Sequence, residues 1–221
     1  MPSSPSIGLL GGTGIEGKGL ALRLAQAGLA VTLGSRSLER ARAVADELNQ
    51  KLGCSLIGAA ENREMLTRAE IVFLTVPFAR AAEALKAYRE FFRPGVILVD
   101  VTVPVKSKTS PGPDDLLEGS GSQHLAKLLP EGGVLVAAFK TIPAETLADA
   151  AAPLDCDEFV CSNSDDARAR VLEILAKIPG LRPVDAGGLS AAGTLERMTA
   201  LAIRLNRRYK IRSARFRVVG L

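Results

Sequence analysis

Along much of the chain, short continuous apolar runs alternate with stretches whose apolar positions recur at helical spacing. Residues 7–10 form an apolar run closed by glycines, which predicts a buried strand. Residues 17–27 place Leu20, Leu24 and Ala27 on one face and predict a helix. A second strand is expected at 29–33. Ser37 can cap the next helix, whose stripe is Leu38, Ala41, Ala45, Leu48 and Leu52. A weaker strand follows at 55–59, a short helix at 61–68 and an apolar strand at 71–76, stopped by Pro77. Residues 79–91 read as a helix and 96–101 as another apolar strand. Residues 106–122, rich in proline, glycine and serine, read as a long surface loop. Beyond it, 125–129 predict a helical turn or two and 134–139 resume the sheet. Short strands are expected at 159–161 and 181–185, and helices at 165–177 and 189–205. Strands that are apolar throughout and alternate with helices indicate a parallel sheet covered on both faces.

The first strand runs into Gly11-Gly12-Thr13-Gly14-Ile15-Glu16-Gly17, in which Gly12, Gly14 and Gly17 match G-x-G-x-x-G. The pattern calls for a tight turn, a close backbone approach to a pyrophosphate and close packing of helix on strand. The pyrophosphate then rests on a helix N-terminus, where free N–H groups and the helix dipole favour an anion. A strand before the motif and a helix after it supply the context that gives it meaning. The expected fold class is therefore α/β: a Rossmann-like, mostly parallel sheet with helices on both faces and a small C-terminal part. Residues 1–143 are expected to form the dinucleotide-binding domain and 144–221 the smaller part.

The second strand ends Leu33-Gly34-Ser35-Arg36, without the acid that NAD enzymes place against the ribose 2′-hydroxyl. Ser35 offers a hydroxyl and Arg36 a fork that matches phosphate. Arg40, one helical turn on, can converge on the same point. The alternative is that both arginines are solvated surface charges. The pattern favours a 2′-phosphate, hence NADP.

Three strand ends should border the nicotinamide: Thr75-Val76-Pro77, Thr102-Val103-Pro104-Val105 and the segment from Ala138 through Lys140 and Ile142 to Pro143. Their bland reading is that they merely terminate strands. The acid–base inventory there is poor. His124 is the single histidine and follows a flexible glycine–serine stretch; Tyr88 and Tyr209 lack a Tyr-x-x-x-Lys arrangement. Lys140 is the one ionisable candidate. A dehydrogenase acting on alcohols needs a proton donor beside the hydride path. Direct exchange between two bound redox cofactors needs proximity and alignment. The composition therefore favours a cofactor-to-cofactor reaction. An imine or small-carbonyl reductase using Lys140, and a non-catalytic NADP-binding redox sensor, are the alternatives.

Composition adds three exclusions. One histidine leaves no set for a His-based metal site. Three cysteines without a CxxC pair suit a reduced, cytoplasmic chain. No signal peptide or membrane-spanning run is visible. The charge of +4 hides an uneven distribution. No acid follows Glu196, and seven basic residues from Arg204 to Arg217 leave a body of 21 basic against 24 acidic groups. That basic tail is open to three readings: a solvated or dimer-contacting surface, an attractor for an anionic cofactor, or a nucleic-acid contact. No nucleic-acid fold signature accompanies it, so no nucleic-acid partner is expected.

The chain resembles the NADPH-dependent coenzyme F420 reductases (F420H2:NADP oxidoreductases). The matching features are Gly11-Gly12-Thr13-Gly14 with Gly17-Lys18-Gly19-Leu20-Ala21, then Gly34-Ser35-Arg36, Thr75-Val76-Pro77, Thr141-Ile142-Pro143-Ala144 and the stretch from Leu181 to Gly187. The resemblance spans nearly the whole chain. It implies a homodimer that passes a hydride between C5 of the deazaflavin and C4 of the nicotinamide, in a cleft completed by the C-terminal part. It also implies that Thr13, Ser35, Arg36 and Arg40 hold the 2′-phosphate, that Thr75 and Pro77 border the nicotinamide, and that Ile142 lies near the deazaflavin. Members often carry histidine where this chain has Lys140. A lysine there changes reach and fixed charge, and the resemblance places it against the anionic deazaflavin.

Overall fold

The computed structural model describes residues 5–105, 116 and 118–221. Most of the expected loop at 106–122 lies outside the described residues. Six strands, β1 (Ile7–Leu10), β2 (Val31–Ser35), β3 (Ile57–Glu61), β4 (Ile71–Leu74), β5 (Ile97–Asp100) and β6 (Val134–Ala137), form one sheet. Their order is β3-β2-β1-β4-β5-β6, and every pairing is parallel. The order reverses between β1 and β4, and in open α/β sheets the ligand crevice lies at that switch, beyond the carboxyl ends of the strands.

Both faces are buried, which is why the strands read as unbroken apolar runs. On one face α1 (Ile15–Gln26), α2 (Leu38–Leu52), α6 (Ala144–Ala148) and α7 (Asp165–Leu175) contribute Leu20, Leu48, Leu147 and Val171 to a single core. On the other, α3 (Asn62–Arg68), α4 (Phe78–Tyr88), α5 (Gly121–Ala126) and α8 (Ala192–Tyr209) contribute Leu66, Leu85, Leu125 and Leu195. Ser37 caps α2 as expected, its Oγ accepting the Arg40 N–H at 3.2 Å.

The C-terminal part adds β7 (Cys156–Val160) and β8 (Leu181–Asp185), a parallel pair that meets β6 through an antiparallel bridge between Ala137 and Cys161. Helix α6 was not expected from the sequence. It packs on α1, where Gly19 leaves room: a Cβ there would lie 2.7 Å from Leu147 Cβ. Buried Arg23 reaches across from α1 and donates to the carbonyls of Thr146, Leu147 and Asp149. Those are the orphan carbonyls at the end of so short a helix.

Two readings change. The end of the 106–122 segment is no surface loop. Ser120 and Ser122 are fully buried, Ser120 caps α5, and Gly121 and Ser122 open that helix. The basic tail is in part tied down. Arg182 grips Asp157 with two bonds of 2.7 Å and also donates to the carbonyls of Val218 and Leu221. Asp157 in turn accepts the Val218 N–H, and Arg217 pairs with Asp155. Arg207, Arg208, Lys210 and Arg212 remain exposed.

Candidate active site

A cleft of about 750 Å³ opens at the carboxyl ends of β1, β2 and β4. Its floor is the glycine turn. Gly11 turns the chain at φ +80°, in the left-handed region, and a Cβ there would also strike Val76 Cγ1 at 2.5 Å. The tight-turn conformation therefore belongs to Gly11 rather than Gly12. Gly12 is a packing glycine, with Leu33 Cδ2 3.0 Å and Leu9 O 3.1 Å from its would-be Cβ. Gly17 faces Gly12 across the turn, and a Cβ would come within 2.5 Å of Gly12 Cα and O. Gly14 is the helix N-cap and has no side-chain bond. A Cβ there would find nothing nearer than Gly11 O at 3.8 Å, so its open side faces the cleft. The first N–H groups of α1 lack intrahelical partners, an arrangement that favours an anion.

The β2 end supplies the wall. Ser35, Arg36, Ser37 and Arg40 line the cleft together with Thr13 and Gly14. The Ser35 hydroxyl accepts the Ser37 N–H at 3.2 Å, which orders the turn carrying Arg36. The β4 end supplies Thr75, Val76 and Pro77. Thr75 is buried, and its hydroxyl donates to Leu10 O at 2.9 Å, so it stitches β4 to the end of β1. Asn62 and Arg80, which the sequence does not single out, also line the cleft, as does Tyr88, set aside above as a proton donor. Asn62 Nδ2 donates to the Tyr88 hydroxyl at 3.2 Å, a contact between two crossovers that no local pattern announces.

The remaining candidates do not line this cleft. Ile15 starts α1 and is 58% exposed, whereas Ala138 and Ile142 are buried. Val103 is half-buried. Lys140 differs most from expectation. Its ammonium does not stand free for a ring: the residue is 2% exposed, with Nζ 2.7 Å from Asp100 Oδ2 and also donating to Thr102 O. Asp100 accepts the Thr102 N–H and hydroxyl on Oδ1 and the Ser122 hydroxyl on Oδ2. Glu196 accepts the N–H groups of Gly121 and Ser122, at 3.0 and 3.1 Å. Thr199 donates to Lys140 O. Lys140 thus ties the end of β6 to the end of β5, while the carboxylates anchor α5 beneath them.

Residues 6–104 match the family model described as NADP oxidoreductase, coenzyme F420-dependent. The chain is 39% identical to an F420-dependent NADP reductase of Methanothermobacter marburgensis, over 97% of this chain and 98% of that protein. The chain belongs to the F420-dependent NADP oxidoreductase family. A Methanocaldococcus jannaschii F420-dependent NADP reductase is 33% identical, with 97% and 98% covered. A crystal structure provisionally assigned as an F420-dependent NADP reductase, from Arthrobacter sp. FB24, superposes with a TM-score of 0.79 at 25% identity, covering 97% of this chain and 99% of that one. The order of six parallel strands and the glycine turn are thus features of an F420-dependent NADP oxidoreductase fold. No helix among the described residues is long and apolar enough to cross a membrane.

Proposed function

We propose that this chain is an F420-dependent NADP reductase, an oxidoreductase that exchanges a hydride between NADP(H) and coenzyme F420. The observation that carries the reading is end-to-end identity with F420-dependent NADP reductases, at 33–39% over 97% of the chain. Bound together, the nicotinamide and the deazaflavin supply the whole redox chemistry. The chain's residues bind, align and exclude water.

The cleft fits the dinucleotide. The α1 turn seats the pyrophosphate, with Thr13 and Gly14 at its mouth, and Ser35, Arg36 and Arg40 hold the 2′-phosphate. Thr75, Val76 and Pro77 border the nicotinamide side. Arg36→Ala is expected to weaken NADP+ binding by about 10- to 100-fold, the worth of a charge-assisted bond, and to leave NAD+ binding unchanged. Titration calorimetry with both cofactors checks this; an unchanged NADP+/NAD+ ratio would remove Arg36 from the site.

The deazaflavin belongs beside the ends of β5 and β6, near Val103, Ala138 and Ile142, with Lys140 acting from below through its backbone segment. Val105, just beyond the end of β5, is a large apolar side chain left 50% exposed, which suits an apolar ring laid against it. Residues 1–143 form the dinucleotide-binding unit and 144–221 complete the cleft. A homodimer in the cytoplasm is the expected form. Exposed Leu201, Ile211 and Val219 favour an apolar contact, and the free cysteines suit a reduced compartment. The decisive experiment mixes catalytic protein with NADPH and oxidised F420. Loss of the deazaflavin's visible absorbance is expected; turnover only with imines or ketones would overturn the reading.

A further inference from the structure

A side pocket of about 230 Å³ opens off the β2 end of the cleft. It shares Ser35, Arg36, Asn62 and Tyr88 with the cleft and adds Glu61 and Arg63. Helix α4 fixes which end of the cleft this is. Pro77, Arg80, Ala84 and Tyr88 recur at helical spacing and form one wall. At about 1.5 Å of rise per residue, that wall carries Tyr88 about 16 Å from Pro77. Pro77 borders the nicotinamide side, so Tyr88 stands at the opposite, adenosine end of an extended dinucleotide. Ala84 and Ala87, also on this wall, are too small to obstruct a flat ring.

Tyr88 is held in place with its proton unspent. Asn62 Nδ2 donates to its hydroxyl at 3.2 Å. Its ring meets Phe91 edge-on, with centroids 6.5 Å apart, and the Arg63 guanidinium lies 5.0 Å from the Phe91 centroid. A phenol both accepts and donates. Asn62 uses the accepting side, and among the described residues the phenol proton meets no acceptor. Asn62 itself is 5% exposed, and its other amide atom, Oδ1, is buried without a partner. An unpaired buried oxygen is expensive, so this corner is short of a polar group. Exposed Glu61 adds a carboxylate to the side pocket, an acceptor only.

We propose that the side pocket reads the base of the dinucleotide: Tyr88 donates its proton to N1 of the adenine, and the Glu61 carboxylate accepts from the 6-amino group. Asn62 is the positioning residue that holds the Tyr88 hydroxyl. The proposal rests on the dinucleotide reading of the cleft. A phosphate does not suit this pocket, because it is an acceptor throughout and Glu61 would repel it. Adenine offers a ring nitrogen that accepts beside an amino group that donates, the complement of Tyr88 beside Glu61. Hypoxanthine reverses both, with a proton on N1 and an oxygen at position 6. A site built to pair with polar groups rejects the analogue that leaves them unpaired.

The test measures Kd for NADP+, NAD+ and nicotinamide hypoxanthine dinucleotide phosphate, in the full chain and in Tyr88→Phe. The wild type is expected to bind the adenine form about 10- to 30-fold more tightly than the hypoxanthine form. Tyr88→Phe keeps the ring against Phe91. It is expected to weaken NADP+ about three- to tenfold and the hypoxanthine form less than about twofold, so the preference narrows. Adenosine 2′,5′-bisphosphate, which lacks the nicotinamide, is expected to weaken by the same factor as NADP+. Equal binding of the two dinucleotides by the wild type overturns the proposal without any variant. So does a Tyr88→Phe protein that loses affinity for NADP+ and not for NAD+, since that sets the hydroxyl on the 2′-phosphate. A bisphosphate that binds the variant as it binds the parent overturns it too. A wild type that binds no NADP+ at all instead sinks the dinucleotide reading, and the base contact with it.

Discussion

Lys140→Met is expected to destabilise the protein by about 3–5 kcal/mol, the cost of leaving a buried charge without its partner. Methionine replaces the stem but not the ammonium. Asp100, at 0% exposure, would keep its Thr102 and Ser122 donors and lose the Lys140 ammonium, and Thr102 O would lose a donor as well. Urea unfolding read by circular dichroism gives the number. Lys140→Met/Asp100→Asn should recover part of the loss, because the amide keeps an acceptor for Thr102 without the charge. The result also decides between two roles for the lysine. A residue pointing into the cleft to contact a ring would affect turnover and spare stability. A residue that clamps the ends of β5 and β6 affects stability first. A Lys140→Met protein as stable as the parent would place the ammonium back in the cleft.

Gly17→Ala is the second large effect. The added Cβ would lie 2.5 Å from Gly12 Cα and O and 2.6 Å from Gly12 C, all backbone atoms. Backbone cannot rotate away, so α1 must slide off the glycine turn. We expect a stability loss of about 1–3 kcal/mol from overpacking and a drop in kcat/KM of about 100-fold from the displaced cofactor seat. Gly14→Ala separates the two effects. Its Cβ has free space in the protein alone, with Gly11 O at 3.8 Å, so the melting temperature should hold. The same Cβ would project into the cleft where the pyrophosphate is proposed to sit, so NADP+ affinity should fall. Thermal melts and NADP+ titration on both variants check the contrast; a Gly17→Ala protein that melts and binds like the parent would refute it.

The parts of the fold that were legible share one property: their apolar pattern is not interrupted. β1, β4 and β5 are buried on both faces, and their residues say so. β7 is equally buried, yet it carries Asp157 and Glu158 in succession, which hides it; only its last residues were expected as a strand. The structure tolerates the pair because Arg182 neutralises Asp157, while Glu158 is the carboxyl that burial pushes toward its protonated form. Helix α6 was illegible because five residues carry too little periodicity, and its partner is Arg23, more than a hundred residues earlier. The cleft was legible at the glycine turn and the β2 end, where one local stretch supplies all the groups. Asn62, Tyr88 and the Lys140–Asp100 clamp were not, since they meet only through the crossovers.

Arg23 carries one more consequence. Its guanidinium joins residues 123 to 126 positions apart, and the helix it completes is too short to persist by itself in water. The first helix can form early, from local sequence, but its outer flank stays unfinished until the chain has closed that very long loop. Contacts of such separation are what make folding slow. The glycine turn is thus synthesised well before the residues that brace its helix, and the scaffold that steadies it is assembled only once that loop has closed.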